Sequence, residues 1–448
     1  MSELTKPTWL ADRPVPDLRG AVPGPKAQQM LDRDNAVTSP SLPRAYPLVP
    51  ERGHGCVVED ADGNLFLDFN AGIAVNSTGH CHPKVVEAVR AQAEQLLHYS
   101  ASDFFLPSYT HMCEALAETL PISGAKRVFL TNSGAEAVEG ALKLSRYASG
   151  RPYVISFYGA FHGRTYGAVS LTASKAKYHK GFGPLLPGVL HAPYAFSGRD
   201  PETGARVHDE DATFDYLENT LFRYEIPGSE VAAIFVEPVQ GEGGYIVPPP
   251  SWLRRLRELC DRHGILLIAD EVQCGMGRTG KMWAIELGDV EPDILISAKG
   301  LASGLPLGAF AARAELMESW GAGAHGSTYG GSPVSCAAGL ATLEVIKSEG
   351  LLENSTKIGE ELRAGLTDLQ RRMPQAITDV RGVGLMVGVE LPTAEQAAAV
   401  QQHCFEHGLL VLECGESTIR MSPPLVVTSE EAQTALRIFG ESVAAVAG

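Results

Sequence analysis

Six short apolar runs, at 128–131, 153–157, 232–237, 265–270, 294–297 and 309–312, are separated by stretches whose apolar residues recur at helical spacing. Runs of four to six β-branched or aliphatic residues are what a sheet buried on both faces requires. Their alternation with helices predicts an α/β unit in which helices cover both faces of a mostly parallel sheet. Ligands of such sheets bind at the C-terminal ends of the strands, which directs the search for chemistry to the residues just after each run. The helix expected over 251–263, with core residues Trp252, Leu253, Leu256 and Leu259 and Gly264 beyond its end, is one of the connecting elements.

Outside this region the pattern changes. Nine prolines fall within residues 1–50, which disfavours continuous helix and predicts an extended arm. Asp62-Gly63 between Val57-Val58 and Leu65-Phe66-Leu67 predicts a hairpin. Pro83 opens a helix whose apolar face would include Val86, Val89, Ala93, Leu96 and Leu97. After Ser335 the reading is one long helical stretch to about Met373, a strand at 384–391, a helix at 394–407, a strand at 409–414 and a last helix from Ser429. The expected division is an arm (1–50), a first part of a small domain (51–80), a large domain (81–334) and a C-terminal small domain (335–448).

The net charge of −16 over 448 residues argues against a nucleic-acid partner, and no run of about 18 apolar residues marks a membrane span. Eight cysteines without a C-x-x-C pair fit reduced thiols, so a cytoplasmic location is expected. No metal site is expected: His80-Cys81-His82 are consecutive, point in divergent directions and have no fourth ligand at a suitable spacing.

Three strand ends carry chemistry. The loop Thr131-Asn132-Ser133-Gly134-Ala135 leads from strand to helix, so its free N–H groups suit a phosphate, although an ordinary capped turn reads equally well. Asp270 closes the apolar run 265–270, and Lys299 follows the run 294–297, 299 − 270 = 29 residues later. A partly buried lysine, an acid and an anion cradle together suit pyridoxal phosphate: the lysine binds the aldehyde, the acid keeps the ring nitrogen protonated and the helix end holds the phosphate.

These residues sit in seven motifs: AGIAVNSTGHCHP (71–83), TNSGAEA (131–137), GAFHGRT (159–165), EPVQGEGG (237–244), ADEVQCGMGRTG (269–280), SAKGLASGLPLGA (297–309) and GSTYGGSP (326–333). From about Arg52 to about Ala432 the chain resembles the class III (ω-amino acid) pyridoxal-phosphate aminotransferases, the group of the 4-aminobutyrate, ornithine and acetylornithine enzymes. The resemblance implies a type I fold: a large domain with a mostly parallel seven-stranded sheet, and a small α+β domain built from both chain ends. It implies Lys299 as Schiff-base lysine and proton shuttle, and Asp270 as partner of the ring nitrogen. Val272 and Phe161 would lie on the two ring faces, Gln273 would reach the phenolic oxygen, and His162 would belong to the cofactor site. Ser133, Gly134 and Ala135 would hold the phosphate, with Thr328 reaching it from the neighbouring subunit of a homodimer.

For substrate, the resemblance assigns Arg164 to a distal carboxylate and Arg420 to an α-carboxylate. Glu242 would pair with Arg420 while an ω-amine is bound and release it for 2-oxoglutarate, and Ile73 would line the pocket. Ser102-Asp103, after the Pro83 helix, reads either as a pair near the pocket mouth or, equally well, as a helix cap for the Pro107 region. The expected reaction moves the ω-amino group of 4-aminobutyrate, or a related ω-amino acid, to 2-oxoglutarate, giving succinate semialdehyde and glutamate. Two alternatives stand beside it. One is an ornithine- or acetylornithine-type δ-aminotransferase. The other is an amino-acid racemase or epimerase of the same fold group, which the stretch 159–189 also resembles.

Overall fold

The computed structural model describes residues 7–195, 198–199, 206–207 and 209–447. Its centre is a seven-stranded sheet in the spatial order Lys126–Thr131, Gly308–Arg313, Ile294–Ser297, Leu266–Asp270, Val231–Val236, Tyr153–Phe157, Val189–Ala192. Gly308–Arg313 runs antiparallel to both neighbours and the other strands are mutually parallel. The fold is therefore α/β with a mostly parallel sheet, as expected. Five of its strands overlap the expected runs within a residue or two, as does Lys126–Thr131 with two residues more. Val189–Ala192 was not expected: its run is short, carries His191, and pairs on one side only, against Tyr153–Phe157.

The sheet's register brings the chemistry together. Asp270 pairs with Ile296 and Ala269 with Val236, so Asp270, the residue after Val236 and the segment after Ser297 emerge side by side. Pro250–His263 covers the sheet with Trp252, Leu253, Leu256 and Leu259 buried, the expected apolar face.

Two four-stranded sheets flank the large one. The first contains the expected hairpin, Val57–Asp60 with Leu65–Asp68, and takes Leu409–Leu410 as a parallel neighbour, so the early and late chain share one sheet. The second is Asp379–Val383, Met386–Glu390, Thr418–Met421 and Leu412–Cys414. The expected single strand at 409–414 is thus two strands in different sheets, because an apolar run records burial and not a change of hydrogen-bond partner.

Three further expectations need correction. The proline-rich opening is not extended throughout: Pro25–Val37 is a helix, begun by Pro25 and capped by the Asp62 carboxylate, which accepts from Lys26 and Ala27 N–H at 2.9 and 2.8 Å. The long helical stretch after Ser335 is two helices, Pro333–Ser348 and Leu351–Arg372, broken at Gly350 with φ 63°. The Pro83 helix ends at Gln95, leaving Leu96 and Leu97 outside it and exposed. Among the described residues no helix is long and apolar enough to cross a membrane.

Candidate active site

At the C-terminal ends of the strands lies a cavity of about 420 Å³, lined among others by Ser133, Gly134, Ala135, Phe161, Arg164, Glu237, Asp270, Gln273 and Lys299. Its deepest contact is a buried ion pair. His162 Nδ1 lies 2.7 Å from Asp270 Oδ2, and Asp270 Oδ1 accepts the Val272 N–H at 3.0 Å. Burial opposes charging of His162, but the bond and charge of Asp270, with Glu237 adding, outweigh it and raise its pKa. The backbone N–H of His162 donates to Thr172 Oγ1 at 2.9 Å, which fixes the main chain that carries the ring.

Lys299 follows Ser297 at the sheet's edge, in the left-handed region with φ 44°, a conformation costing a non-glycine residue roughly 1–3 kcal/mol. Burial, and next the charge of Arg420, lower its pKa, which favours the uncharged amine.

The helix Gly134–Ser149 starts at the cavity wall. Ser133 caps it, accepting the Glu136 N–H at 3.2 Å, and the Glu136 carboxylate accepts from Asn132 N and Nδ2 at 2.7 and 2.9 Å. A Cβ at Gly134 would come within 2.9 Å of Val272, so the cradle can close on the ring wall only with glycine there.

This constellation fits pyridoxal phosphate on its own chemistry. The helix end offers N–H groups to a dianion, and Asp270, already fixed by two bonds, offers a negative charge. Gln273 lines the cavity with its amide oxygen buried and unpartnered, and Phe161 and Val272 both line the cavity. Ser133, Gly134, Ala135, Phe161, His162, Asp270, Val272, Gln273 and Lys299 could hold the group together.

The cluster around Arg420 is built differently. Arg420, buried, lies on Thr418–Met421 with Nη1 3.1 Å from Glu242 Oε2. Burial opposes its charge, yet Tyr245, Cys414 and Glu242 together raise its pKa. Glu242 Oε1 accepts from Tyr178 OH at 3.3 Å and lies 3.6 Å from Lys175 Nζ. Arg164 is exposed and lays its guanidinium 4.5 Å from the Tyr178 ring centroid.

Six sequence-assigned residues lie outside the lining of this cavity in the single chain: Glu242 and Arg420, paired as described, and Thr328, Ile73, Ser102 and Asp103. Thr328 is exposed and not in the lining. Ile73, 41% exposed, is likewise outside the lining, where Val75 of the same segment stands. Ser102 exchanges hydrogen bonds with Ser327 at 3.0 Å each, and Asp103 accepts from Ser100 Oγ at 2.8 Å, so neither lines the mouth in one chain.

Sequence reasoning missed Glu237, Tyr178 and Lys175. Glu237 is buried at the end of Val231–Val236, accepting the Phe161 and Gly241 N–H groups at 3.0 and 3.1 Å. Burial raises its pKa to about 7. Its place after an apolar strand was a readable signal, the same one that marked Asp270. Tyr178 and Lys175 gave none.

A profile described as "Aminotransferase class-III" matches residues 40–443. The chain is 40% identical to the alanine/serine racemase of Pyrococcus horikoshii, covering 94% of this chain and 91% of that protein. It is 39% identical to the 5-aminovalerate aminotransferase DavT of Pseudomonas aeruginosa, covering 92% and 97%. A structure of the ornithine aminotransferase from Toxoplasma gondii, reported with partial occupancy of PLP at its active site, superimposes with TM-score 0.83 at 33% identity, covering 94% of this chain and 95% of that one. With the motif order, the sheet and the cavity in agreement, the chain belongs to the class III aminotransferases, enzymes that work with pyridoxal phosphate.

Proposed function

We propose that this enzyme moves the ω-amino group of 4-aminobutyrate, or of a near ω-amino acid, to 2-oxoglutarate, giving succinate semialdehyde and glutamate. The observation that carries the reading is the Glu242–Arg420 pair at 3.1 Å, whose charges act on Lys299 and which Tyr178 links to Arg164. An ω-amine donor brings one carboxylate and 2-oxoglutarate brings two. A site serving both must therefore hide one arginine in one half of the cycle, and a glutamate partner does that.

In this reading Arg164 binds the distal carboxylate of either substrate. Arg420 stays paired with Glu242 while the ω-amine is bound and turns to the α-carboxylate of 2-oxoglutarate when Glu242 withdraws. When bound, pyridoxal phosphate supplies an aldehyde for the substrate amine and a protonated ring that accepts the electron pair of the breaking C–H bond. Lys299 Nζ, its pKa lowered by burial, would take the proton from the amine-bearing carbon and return it to the cofactor side. Asp270, held by His162 and the Val272 N–H, would be the residue that faces the ring nitrogen.

We also propose that the working unit is a homodimer. Tyr99, Phe104, Phe105 and Tyr329 are exposed, Tyr99 packs on Phe104 at 4.6 Å, and His98 on Tyr329 at 4.8 Å. This apolar patch adjoins Ser327 and Thr328, so a second copy covering it would bring Thr328 toward a neighbouring cavity.

The alanine/serine racemase likeness supports a second reading, in which the α-proton is removed and returned on the other face. The ornithine aminotransferase likeness supports a δ-amine donor. Incubating holoenzyme and 2-oxoglutarate with 4-aminobutyrate, 5-aminovalerate or L-ornithine, and separately with L-alanine alone, tests all three. Glutamate formed fastest from 4-aminobutyrate or 5-aminovalerate is the expected result; D-alanine formed without keto acid would replace the proposal.

A further inference from the structure

Tyr178 closes the short turn Ala176–Tyr178, within a connection that carries Lys175, Lys177 and His179. It is 9% exposed, and its two ends do different work. The hydroxyl lies 3.3 Å from Glu242 Oε1, the carboxylate whose other oxygen accepts from Arg420. The ring face lies 4.5 Å from the Arg164 guanidinium, close enough for a cation–π contact, and the ring meets Phe161 edge-on at 5.6 Å. Burial, then the charge of Glu242, raises the phenol's pKa, so the group is a donor throughout the neutral and mildly alkaline range. One side chain thus touches both the glutamate that occupies Arg420 and the arginine that faces the other carboxylate.

We propose that Tyr178 is a specificity-determining positioning residue, whose hydroxyl holds Glu242 on Arg420 and whose ring holds Arg164 in place, so that the enzyme distinguishes ligands with an α-carboxylate from those without one. The inference deepens the substrate assignment above and rests on it for the choice of donor. Glu242 and an α-carboxylate compete for Arg420. An α-carboxylate must take Arg420 from Glu242, and every bond that Glu242 keeps with the latch raises the cost of that exchange. Tyr178 OH supplies one such bond, and Lys175, 3.6 Å away and partly solvated, supplies a weaker attraction. An ω-amine leaves Arg420 without a carboxylate partner, and Glu242 must then stay in place.

Tyr178→Phe removes the hydroxyl and keeps the ring on Arg164, so it separates the two roles. In holoenzyme carrying this change, binding of 2-oxoglutarate measured by calorimetry should tighten about three- to tenfold, the worth of one hydrogen bond. The single-turnover rate with 4-aminobutyrate should fall by a similar factor. Tyr178→Leu, which also removes the ring, should weaken binding of glutarate, a ligand with two carboxylates and no keto group, relative to Tyr178→Phe. Bound-cofactor absorbance matching the unmodified enzyme in both variants shows that the site has formed. If 2-oxoglutarate tightens but the unmodified enzyme does not react with ω-amines, the role of Tyr178 stands and the donor assignment falls. If the unmodified enzyme transaminates 4-aminobutyrate and Tyr178→Phe changes neither quantity, the role of Tyr178 falls and the donor assignment stands. No tightening in an enzyme inert to ω-amines overturns both.

Discussion

The Asp270–Lys299 cavity and the Arg420–Glu242 cluster outside its lining are built on opposite plans. At the cofactor end, Asp270 closes one parallel strand, Glu237 follows a second and Lys299 a third, and backbone N–H groups hold the two carboxylates. At the substrate end, Arg164, Glu242 and Tyr178 come from connections, and their contacts are side chain to side chain. On the proposed reading the first would hold charge still while a proton moves, and the second would exchange partners as substrates alternate. A single rigid design could not do both, because an arginine fixed for one carboxylate would stand buried and unpaired in half of the cycle.

Four substitutions probe this contrast, in order of expected effect. Lys299→Ala should lower turnover about 10⁴-fold with the fold intact, measured by steady-state assay beside circular dichroism. Retained turnover would remove the lysine from the chemistry. His162→Leu strands Asp270 in the interior and should destabilise the chain by about 3–5 kcal/mol in denaturant unfolding. A loss under about 1 kcal/mol would mean that the rigid end does not depend on this pair. Arg420→Ala should lower kcat/KM for 2-oxoglutarate about 10²-fold or more, and reduce the 4-aminobutyrate half-reaction by less than tenfold. Equal losses in both halves would refute an exchangeable latch.

The smallest effect is on pH dependence. Glu271 is buried next to Asp270, accepting the Ala284 and Ile285 N–H groups at 2.9 and 2.7 Å, and burial raises its pKa from 4.5 to about 7. Between those values the folded chain binds more protons than the unfolded one. Its contribution is therefore complete below about 4.5 and is lost as the pH rises through about 7. Glu271→Gln should flatten the fall in stability across this window, followed by unfolding at a series of pH values; an unchanged slope would assign the dependence to other groups, Glu237 first.

What could be read from the sequence follows the same division. Asp270 and Lys299 were legible because an apolar strand ending in a charged residue is expensive unless that residue has work to do at the sheet's edge. The motifs extended this to Arg164 and Glu242, and the family resemblance to Arg420. Tyr178 was not legible: its partner Glu242 lies 64 residues away, and the loop between Thr172 and Gly188 has no period to mark an inward-facing residue. The helix Pro25–Val37 escaped for a similar reason, since the cap that begins it comes from Asp62 in the hairpin turn, 36 residues on from Lys26. Thr328 and Ile73 lie where one chain alone gives them no cavity to line.

The central claim is that the same site takes an ω-amine and then an α-keto diacid. Its most direct test is a single-turnover experiment with holoenzyme and 4-aminobutyrate, following the cofactor's yellow colour, and then addition of 2-oxoglutarate. The account predicts that the colour bleaches with the amine and returns with the keto acid, with one glutamate formed per site. Persistent colour with 4-aminobutyrate, together with interconversion of L- and D-alanine in the absence of any keto acid, would contradict it.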